Sequence, residues 1–374
     1  MSSLTRNDRS ELALWWWTVD RWSLAALVLL IGFGVVLVMA AAPAAGARIG
    51  LDGFHLAQRQ LLILPVALCV LALASVLRPR WICRLAVFGY LAALALCFAT
   101  LLLGPEIKGA TRWLAIGGFS FQPSELLKPC AAVVAAWIFA IQRREPEFAG
   151  YRWAFALWLL SVTPLLLQPD VGQAFVVTAV WGLQFFLAGL PLIWVLALVA
   201  LGLGALIVAY HVLPHVAFRI DSFLDSSVGD RYQVNRSIEA FANGGLFGRG
   251  PGEGTVKALL PDSHSDFIFA VAGEELGLFA CLIILLLFAF IVLRGFSRVM
   301  QDSSFFALLA SAGLLCQFGL QALINMASTL NLMPTKGMTL PFISYGGSSL
   351  LALALGMGWV LALTRRRGAA GEGL

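Results

Sequence analysis

The sequence predicts an all-α integral membrane protein, a polytopic bundle of about ten transmembrane helices. Of its 374 residues, 60% are hydrophobic and 12% are charged, whereas a soluble domain is about 45–50% apolar and about 25% charged. The mean hydropathy is +0.89. The apolar residues also form long runs, and about 20 consecutive apolar residues suffice to cross a bilayer as a helix. Together these features exclude a soluble globular domain.

The spans follow from the positions of the apolar runs. The first run is too long for a secretory signal peptide, whose apolar core has about 7–15 residues. The fifth and sixth runs are short or poorly separated, so nine spans would also fit. The runs lie at 22–42, 57–77, 82–103, 122–141, 152–167, 171–189, 190–212, 266–294, 304–329 and 341–364.

The basic residues predict the orientation, because Lys and Arg concentrate in short cytoplasmic loops. Arginine clusters recur in the loops on the side of both termini, which are therefore predicted to be cytoplasmic. The chain is interpreted as a single membrane domain, 1–374, without a soluble domain. It has a cytoplasmic N-terminal segment at 1–21, a large periplasmic loop at 213–265 before the eighth span, and a cytoplasmic tail at 365–374.

A few basic residues break this bias. Arg112, Arg231 and Lys336 lie on the predicted outer side, and Lys128 lies inside the fourth run. Positive charge there indicates a negatively charged substrate at the outer face.

The fourth run begins with the segment Phe121–Pro129. Pro123 suits a first helical position, and Gln122, Glu125 and Lys128 share one helix face. These polar residues either contact substrate or form a pair that neutralises itself against a neighbouring helix. Further on, Asp170 is predicted to cap the sixth span.

The polar segment Asn243–Lys257 is rich in glycine but matches neither phosphate-binding glycine motif. It is interpreted as a flexible external loop with positive-φ positions.

The segment Leu260–Phe269 joins this loop to the eighth span. A carboxylate at the mouth of a membrane helix is a candidate functional group, and Asp266 occupies that position. It is either a first-turn residue favoured by the helix dipole or a catalytic base. Asp262 is the nearest competitor and is expected to be better solvated. His264 is interpreted as structural, since no second ligand stands at metal spacing.

The segment Met333–Leu351 opens the last span, and Pro341 fits a helix start. Ser344 and Ser348 form a small-xxx-small face that either packs closely against another helix or contacts substrate.

Taken together, QPSELLKP, QPDVGQA, the segment P-x-x-HSDF-x-FA with Glu274 and Glu275, and PTKGMTLPFISYGGSS resemble the SEDS (shape, elongation, division, sporulation) family over nearly the whole chain. Lys336 makes the last motif resemble the division branch. The resemblance implies a multi-pass protein of the bacterial inner membrane at the division septum. It also implies a peptidoglycan glycosyltransferase that polymerises lipid II at the periplasmic face. The essential aspartate maps onto Asp266, and the implied partners are a class B penicillin-binding transpeptidase (FtsI-like) and other division membrane proteins.

Glycosyl transfer from a pyrophosphate donor requires one general base and cations for the leaving group, but no paired acid. Asp266 is the predicted base. No cofactor is certain, although a divalent cation (Mg or Mn) would suit the pyrophosphate. An elongation-type polymerase, a lipid II flippase and a non-catalytic scaffold are the alternatives. The predicted substrate-binding residues are Arg112, Trp113, Gln122, Glu125, Lys128, Arg231, Lys336, Ser344, Tyr345 and Ser348.

Overall fold

The computed structural model describes residues 11–48, 50, 53–106, 110–116, 119–212, 216–217, 221, 232–301, 304–334 and 337–365. Within these ranges the chain forms twelve α-helices, one 3-10 helix (Val256–Ala258) and a two-stranded hairpin. The helices are α1 Glu11–Thr18, α2 Arg21–Arg48, α3 His55–Val76, α4 Pro79–Leu103, α5 Pro123–Arg144, α6 Gly150–Leu167, α7 Val171–Leu187, α8 Leu192–Val212, α9 Tyr232–Gly244, α10 Ile268–Val299, α11 Phe305–Thr329 and α12 Gly347–Leu363.

Ten of the described helices, α2–α8 and α10–α12, coincide with the ten predicted spans. Seven of these, α2–α6, α10 and α11, are long and apolar enough to cross a membrane. Helices α7 and α12 are apolar but have 17 residues each, and α8 is apolar over 21 residues. The predicted polytopic helical bundle is therefore confirmed.

Helices α5 and α11 form the centre of the bundle. Their most apolar segments are 78% and 72% buried, compared with 28% for α3, α4 and α10. Helix α5 packs against α4, α6, α7, α11 and α12. The polar side chains of α5 and α11 consequently face protein and not lipid, as a membrane interior requires.

A β-hairpin precedes α5 and was not predicted. Strands β1 Leu114–Ile116 and β2 Phe119–Phe121 pair antiparallel, with Gly117 and Gly118 between them in sequence, a combination typical of tight hairpins. The hairpin delivers the chain to Gln122, the N-cap of α5, and Pro123 occupies the first turn as predicted.

Helix α10 is broken at Gly277, although the sequence indicated one continuous run. Gly277 adopts φ 79° and ψ −177°, a left-handed φ that favours glycine. The backbone of residues 245–250 satisfies the groups that the break releases. The bonds are Leu278 N to Gly245 O (3.0 Å), Phe279 N to Leu246 O (3.2 Å), Arg249 N to Glu274 O (3.0 Å) and Gly250 N to Glu275 O (2.9 Å).

Two buried glutamates tie the rest of the glycine-rich segment to α10. The Glu274 carboxylate accepts backbone N–H bonds from Thr255 and Val256 (both 2.8 Å) and from Lys257 (3.0 Å). Glu275 pairs with the Lys257 ammonium group and accepts from Gly252 N at 3.0 Å. The positive-φ glycines were predicted correctly, but the predicted flexibility of the loop does not match its hydrogen bonds to α10.

An ion cluster fixes the opposite end of α10. Arg294 binds both carboxylate oxygens of Asp20 at 2.6 and 2.9 Å, and Arg298 approaches the same carboxylate at 3.2 Å. Burial raises the pKa of Asp20, but hydrogen bonds from Arg294 and Ser23 and the charges of both arginines outweigh burial and lower that pKa below its usual range. The cluster joins the start of α2 to α10.

The contact at the helix break gives a testable prediction. A Cβ on Gly277 would lie 2.3 Å from Gly248 N and 2.5 Å from Leu246 O, so Gly277→Ala must displace backbone. We expect a loss of about 1–3 kcal/mol of stability, seen as a lower melting temperature of the detergent-purified protein. Gly182→Ala in α7 is the matched control, because no atom lies within 4 Å of its added Cβ. Equal melting temperatures for the two variants would contradict the close packing of the helix break at Gly277 against residues 246–248.

Candidate active site

Asp266 lies in a turn at the mouth of α10. The turn covers 261–267, Phe267 is the N-cap, and α10 begins at Ile268. The alternative reading of Asp266 as a first-turn helix residue therefore does not match its position. Its side chain is half-buried, which leaves a carboxylate at the boundary between the bundle and its surface.

The chain that follows α11 passes directly beside this carboxylate. A Cβ built on Gly337 would lie 3.4 Å from Asp266 Oδ2, and Gly337 has φ +61°. Lys336, the preceding residue, and Arg231 lie outside the described residues. Gly337 is thus the described residue of this segment that lies beside the Asp266 carboxylate.

Three successive carbonyls before α10 are held by tertiary hydrogen bonds. His264 O accepts from Tyr345 N at 2.9 Å, Ser265 O accepts from Ser344 Oγ at 2.6 Å, and Asp266 O accepts from Asn325 Nδ2 at 2.8 Å. The backbone that presents Asp266 is therefore fixed by α11 and by the segment before α12.

Asp262, the competing candidate, lies in the same turn as Asp266. Both residues are half-buried, so the greater solvation predicted for Asp262 stays a prediction. Asp262 has φ 53°, and its carbonyl accepts from Ser265 N (3.1 Å) and Phe267 N (3.3 Å). What distinguishes Asp266 from Asp262 is that the Asp266 carboxylate lies beside Gly337.

A buried charge pair lies deeper in the bundle. Lys128 Nζ is 3.1 Å from both carboxylate oxygens of Glu125 and donates to Gln321 Oε1 at 2.9 Å. Gln173 Nε2 donates to Glu125 Oε1 at 2.7 Å. This arrangement matches the alternative in which Glu125 and Lys128 neutralise one another against neighbouring helices.

The polar chain continues from this pair towards the hairpin. Asp170 caps α7 as predicted, accepting from Gln173 N, and Gln122 Nε2 lies 3.5 Å from its carboxylate. Arg112 donates to Gln168 O (3.2 Å) and Pro169 O (2.5 Å), with Asp170 at 3.7 Å. Arg112 thus holds the turn between α6 and α7, and Trp113 leads from it into β1.

The serines of the last motif are engaged within the protein. Ser348 Oγ accepts from Gln122 N at 3.1 Å and donates to Ser120 O at 3.4 Å, which joins α12 to the hairpin. The predicted helix start at Pro341 was wrong, because α12 begins at Gly347. Residues 341–345 form a turn and a bend, and this irregular backbone allows residues 344 and 345 to reach the carbonyls of His264 and Ser265.

Helix α11 connects the two parts of the site. Gln321 Nε2 donates to Thr339 O (3.1 Å) and Thr339 Oγ1 (3.2 Å), while Asn325 Nδ2 donates to Met338 O at 2.6 Å. Sequence reasoning missed Gln173, Gln321 and Asn325. A signal existed, since the amides of residues 317, 321 and 325 recur every four residues within an apolar helix.

The described residues contain no group of three His, Cys, Asp or Glu side chains that could hold a metal ion by themselves.

Comparison with known proteins agrees with this arrangement. The family profile described as "Cell cycle protein" (FtsW, RodA and SpoVE) matches residues 21–368. The chain is 46% identical over 375 aligned positions to a "Probable peptidoglycan glycosyltransferase FtsW" of Caulobacter vibrioides, covering 99% of this chain and 96% of that protein.

Two solved structures share the fold. One, described as "Structural coordination of polymerization and crosslinking by a peptidoglycan synthase complex", aligns with a TM-score of 0.76 and 29% identity over 92% of this chain and 97% of the other. The other is the rod shape determining protein RodA of Thermus thermophilus, with a TM-score of 0.70, 29% identity, and 94% and 99% coverage. The chain therefore belongs to the FtsW/RodA/SpoVE family of cell cycle proteins, which is the SEDS family.

Proposed function

We propose that this protein is a peptidoglycan glycosyltransferase that polymerises lipid II during septal cell-wall synthesis, with Asp266 as its general base. The observation that carries the proposal is the half-buried Asp266 carboxylate beside Gly337, on backbone that tertiary hydrogen bonds hold in place. The family membership and the FtsW name of the 46%-identical relative support the division role.

The proposed reaction requires one proton acceptor. A hydroxyl oxygen of the acceptor sugar forms a bond to the anomeric carbon of the donor, and the bond from that carbon to the pyrophosphate oxygen breaks. The hydroxyl proton passes to the Asp266 carboxylate, and the lipid pyrophosphate departs with the bonding electron pair. Pyrophosphate is already a good leaving group, so a second carboxylic acid is not required.

The departing pyrophosphate gains negative charge, which nearby cations stabilise. Lys336 precedes Gly337 and is the first candidate for this role. Arg231 is also proposed to contact the pyrophosphate. Arg112 is a weaker candidate than its charge suggested, since two of its nitrogens already donate to carbonyls.

The remaining predicted residues divide into two groups. We place Trp113, Gln122 and Tyr345 at the boundary of the substrate site, because each is only partly buried. Glu125, Lys128 and Ser348 are buried and bonded to protein groups, so we infer that they shape the floor of the site. Ser344 is treated below.

We infer a position in the bacterial inner membrane at the division septum, with both termini cytoplasmic and Asp266 at the periplasmic face. The expected partner is a class B penicillin-binding transpeptidase, together with other division proteins. The structural relative that coordinates polymerisation and crosslinking in one complex supports this kind of partner.

The orientation can be tested with reporters. A reporter fused after Gly150 should read cytoplasmic, and one inserted at Gly252 should read periplasmic, because the arginine clusters predict those sides. Alkaline phosphatase and fluorescent protein fusions provide the measurement. Opposite readings at both positions would refute a periplasmic Asp266.

The central prediction concerns Asp266. Asp266→Asn keeps the shape of the side chain but cannot accept a proton at neutral pH, so polymerisation should fall by about 10²–10⁴-fold. The measurement is polymerisation of labelled lipid II by the purified protein with its transpeptidase partner.

Asp262→Asn is the matched control, because it removes a half-buried carboxylate from the same turn and should leave substantial activity. The reverse order of damage would move the base to Asp262. Full activity of both variants would refute the assignment of the general base to either aspartate.

A further prediction concerns the pyrophosphate. Lys336→Ala should reduce lipid II turnover about tenfold or more, because a charge-assisted contact is worth about 1.5–3 kcal/mol. Lys336→Arg keeps the positive charge and should retain most activity. Arg112→Ala should lose less activity than Lys336→Ala when activity is expressed per amount of folded protein. Turnover by Lys336→Ala within twofold of wild type would contradict the assignment.

A further inference from the structure

The backbone that carries Asp266 lies outside any helix and is held from elsewhere in the chain. The segment 261–267 is a turn, so its carbonyls lack the regular ladder of a helix. Three successive carbonyls, 264 to 266, instead accept bonds from Tyr345 N, Ser344 Oγ and Asn325 Nδ2. These tertiary hydrogen bonds hold the turn against α11 and against the segment that precedes α12.

Asn325 joins two segments through one nitrogen. Its Nδ2 donates to Asp266 O at 2.8 Å and to Met338 O at 2.6 Å, and the residue is 1% exposed. Because Met338 follows Gly337, the bond pair ties the base to the chain beside its carboxylate. An apolar side chain here would leave two carbonyls without their donor.

Ser344 makes a similar link with its hydroxyl. Ser344 Oγ donates to Ser265 O at 2.6 Å and accepts from Leu340 N at 2.7 Å, and the residue is 4% exposed. Its proton is committed to a protein carbonyl, so it has no proton to give to a substrate oxygen. These bonds favour a role for Ser344 in linking residues 265 and 340 over the substrate contact that the sequence suggested.

We propose that Asn325 and Ser344 are positioning residues for the base. They fix the turn 264–266 against the segment 337–340, so that the Asp266 carboxylate and the backbone at Gly337 keep a constant separation. This inference rests on the proposed glycosyltransferase function. Neither side chain touches substrate: Ser344 acts through the backbone carbonyl of Ser265, and Asn325 acts through that of Asp266.

The physical reason is the distance sensitivity of proton transfer. A general base has to lie within hydrogen-bond reach of the proton that it removes, and a misplacement of about 1 Å can reduce the rate about 100-fold. Side chains locked by packing and hydrogen bonds are how a protein holds such a geometry. Loss of either link should slow the chemical step while lipid II still binds.

The experiment compares Ser344→Ala, Ser344→Thr and Asn325→Leu with wild type, in the full-length protein with its transpeptidase partner. Labelled lipid II is the probe, and kcat, KM and melting temperature are measured for each. We expect Ser344→Ala and Asn325→Leu to lower kcat about 10- to 100-fold with KM within about threefold. Ser344→Thr keeps the hydroxyl and should recover most of the activity lost in Ser344→Ala.

Gln317→Leu is the matched control. Gln317 is a buried amide on the same helix, two turns from Asn325. It lies near Trp158 and Trp181 and, within the described part of the chain, forms no hydrogen bond to the turn 264–266. It should keep wild-type kcat. An equal fall of kcat in Gln317→Leu would assign the effect to the integrity of α11 and overturn the inference.

Two further results would overturn the proposal. A raised KM with unchanged kcat in Ser344→Ala would place Ser344 on the substrate. Wild-type kcat in Ser344→Ala and Asn325→Leu, with Asp266→Asn inactive, would refute the positioning role and leave the proposed function intact. Activity of Asp266→Asn would instead refute the assignment of Asp266 as the general base of the proposed function. Should Asn325→Leu fail to fold, the comparison of Ser344→Ala with Ser344→Thr decides alone.

Discussion

Polar groups inside the bundle have to be satisfied by the protein, because hydrocarbon offers no partners. This constraint explains why Glu125, Lys128, Gln173 and Gln321 form one connected set of hydrogen bonds. Removing one member of such a buried pair costs far more than the pair contributes. The same constraint determines where irregular backbone can occur.

The irregular backbone at the mouth of α10 is satisfied on two sides. On one side, the glycine-rich segment bonds to the break at Gly277 and to the carboxylates of Glu274 and Glu275. On the other, Asn325 and Ser344 hold the carbonyls next to Asp266. The proposed base thus lies in the turn that leads into α10, and the first part of α10 is anchored at both of its ends. This rigidity suits a reaction that depends on position.

Helix α7 and the hairpin β1–β2 also bring polar groups together within the protein. Helix α7 has 17 residues and starts after the buried cap Asp170, where its polar end meets Gln122 and Arg112. The hairpin β1–β2 leads into Gln122 and reaches α12 through Ser348. Polar groups of α7, the hairpin and α12 are thus joined at one end of an otherwise apolar bundle.

The sequence by itself determined the bundle, because long apolar runs can only be buried in lipid or protein as helices. It also determined the Asp170 cap, the Pro123 helix start and the candidate Asp266, since each depends on neighbours within a few residues. Tertiary structure decided the partners of these groups. The break at Gly277 depends on Gly248 and Leu246, some 30 residues earlier in the chain. The support of Asp266 depends on residues 325 and 344, whose amide and hydroxyl acquire a role only when folding brings distant carbonyls to them.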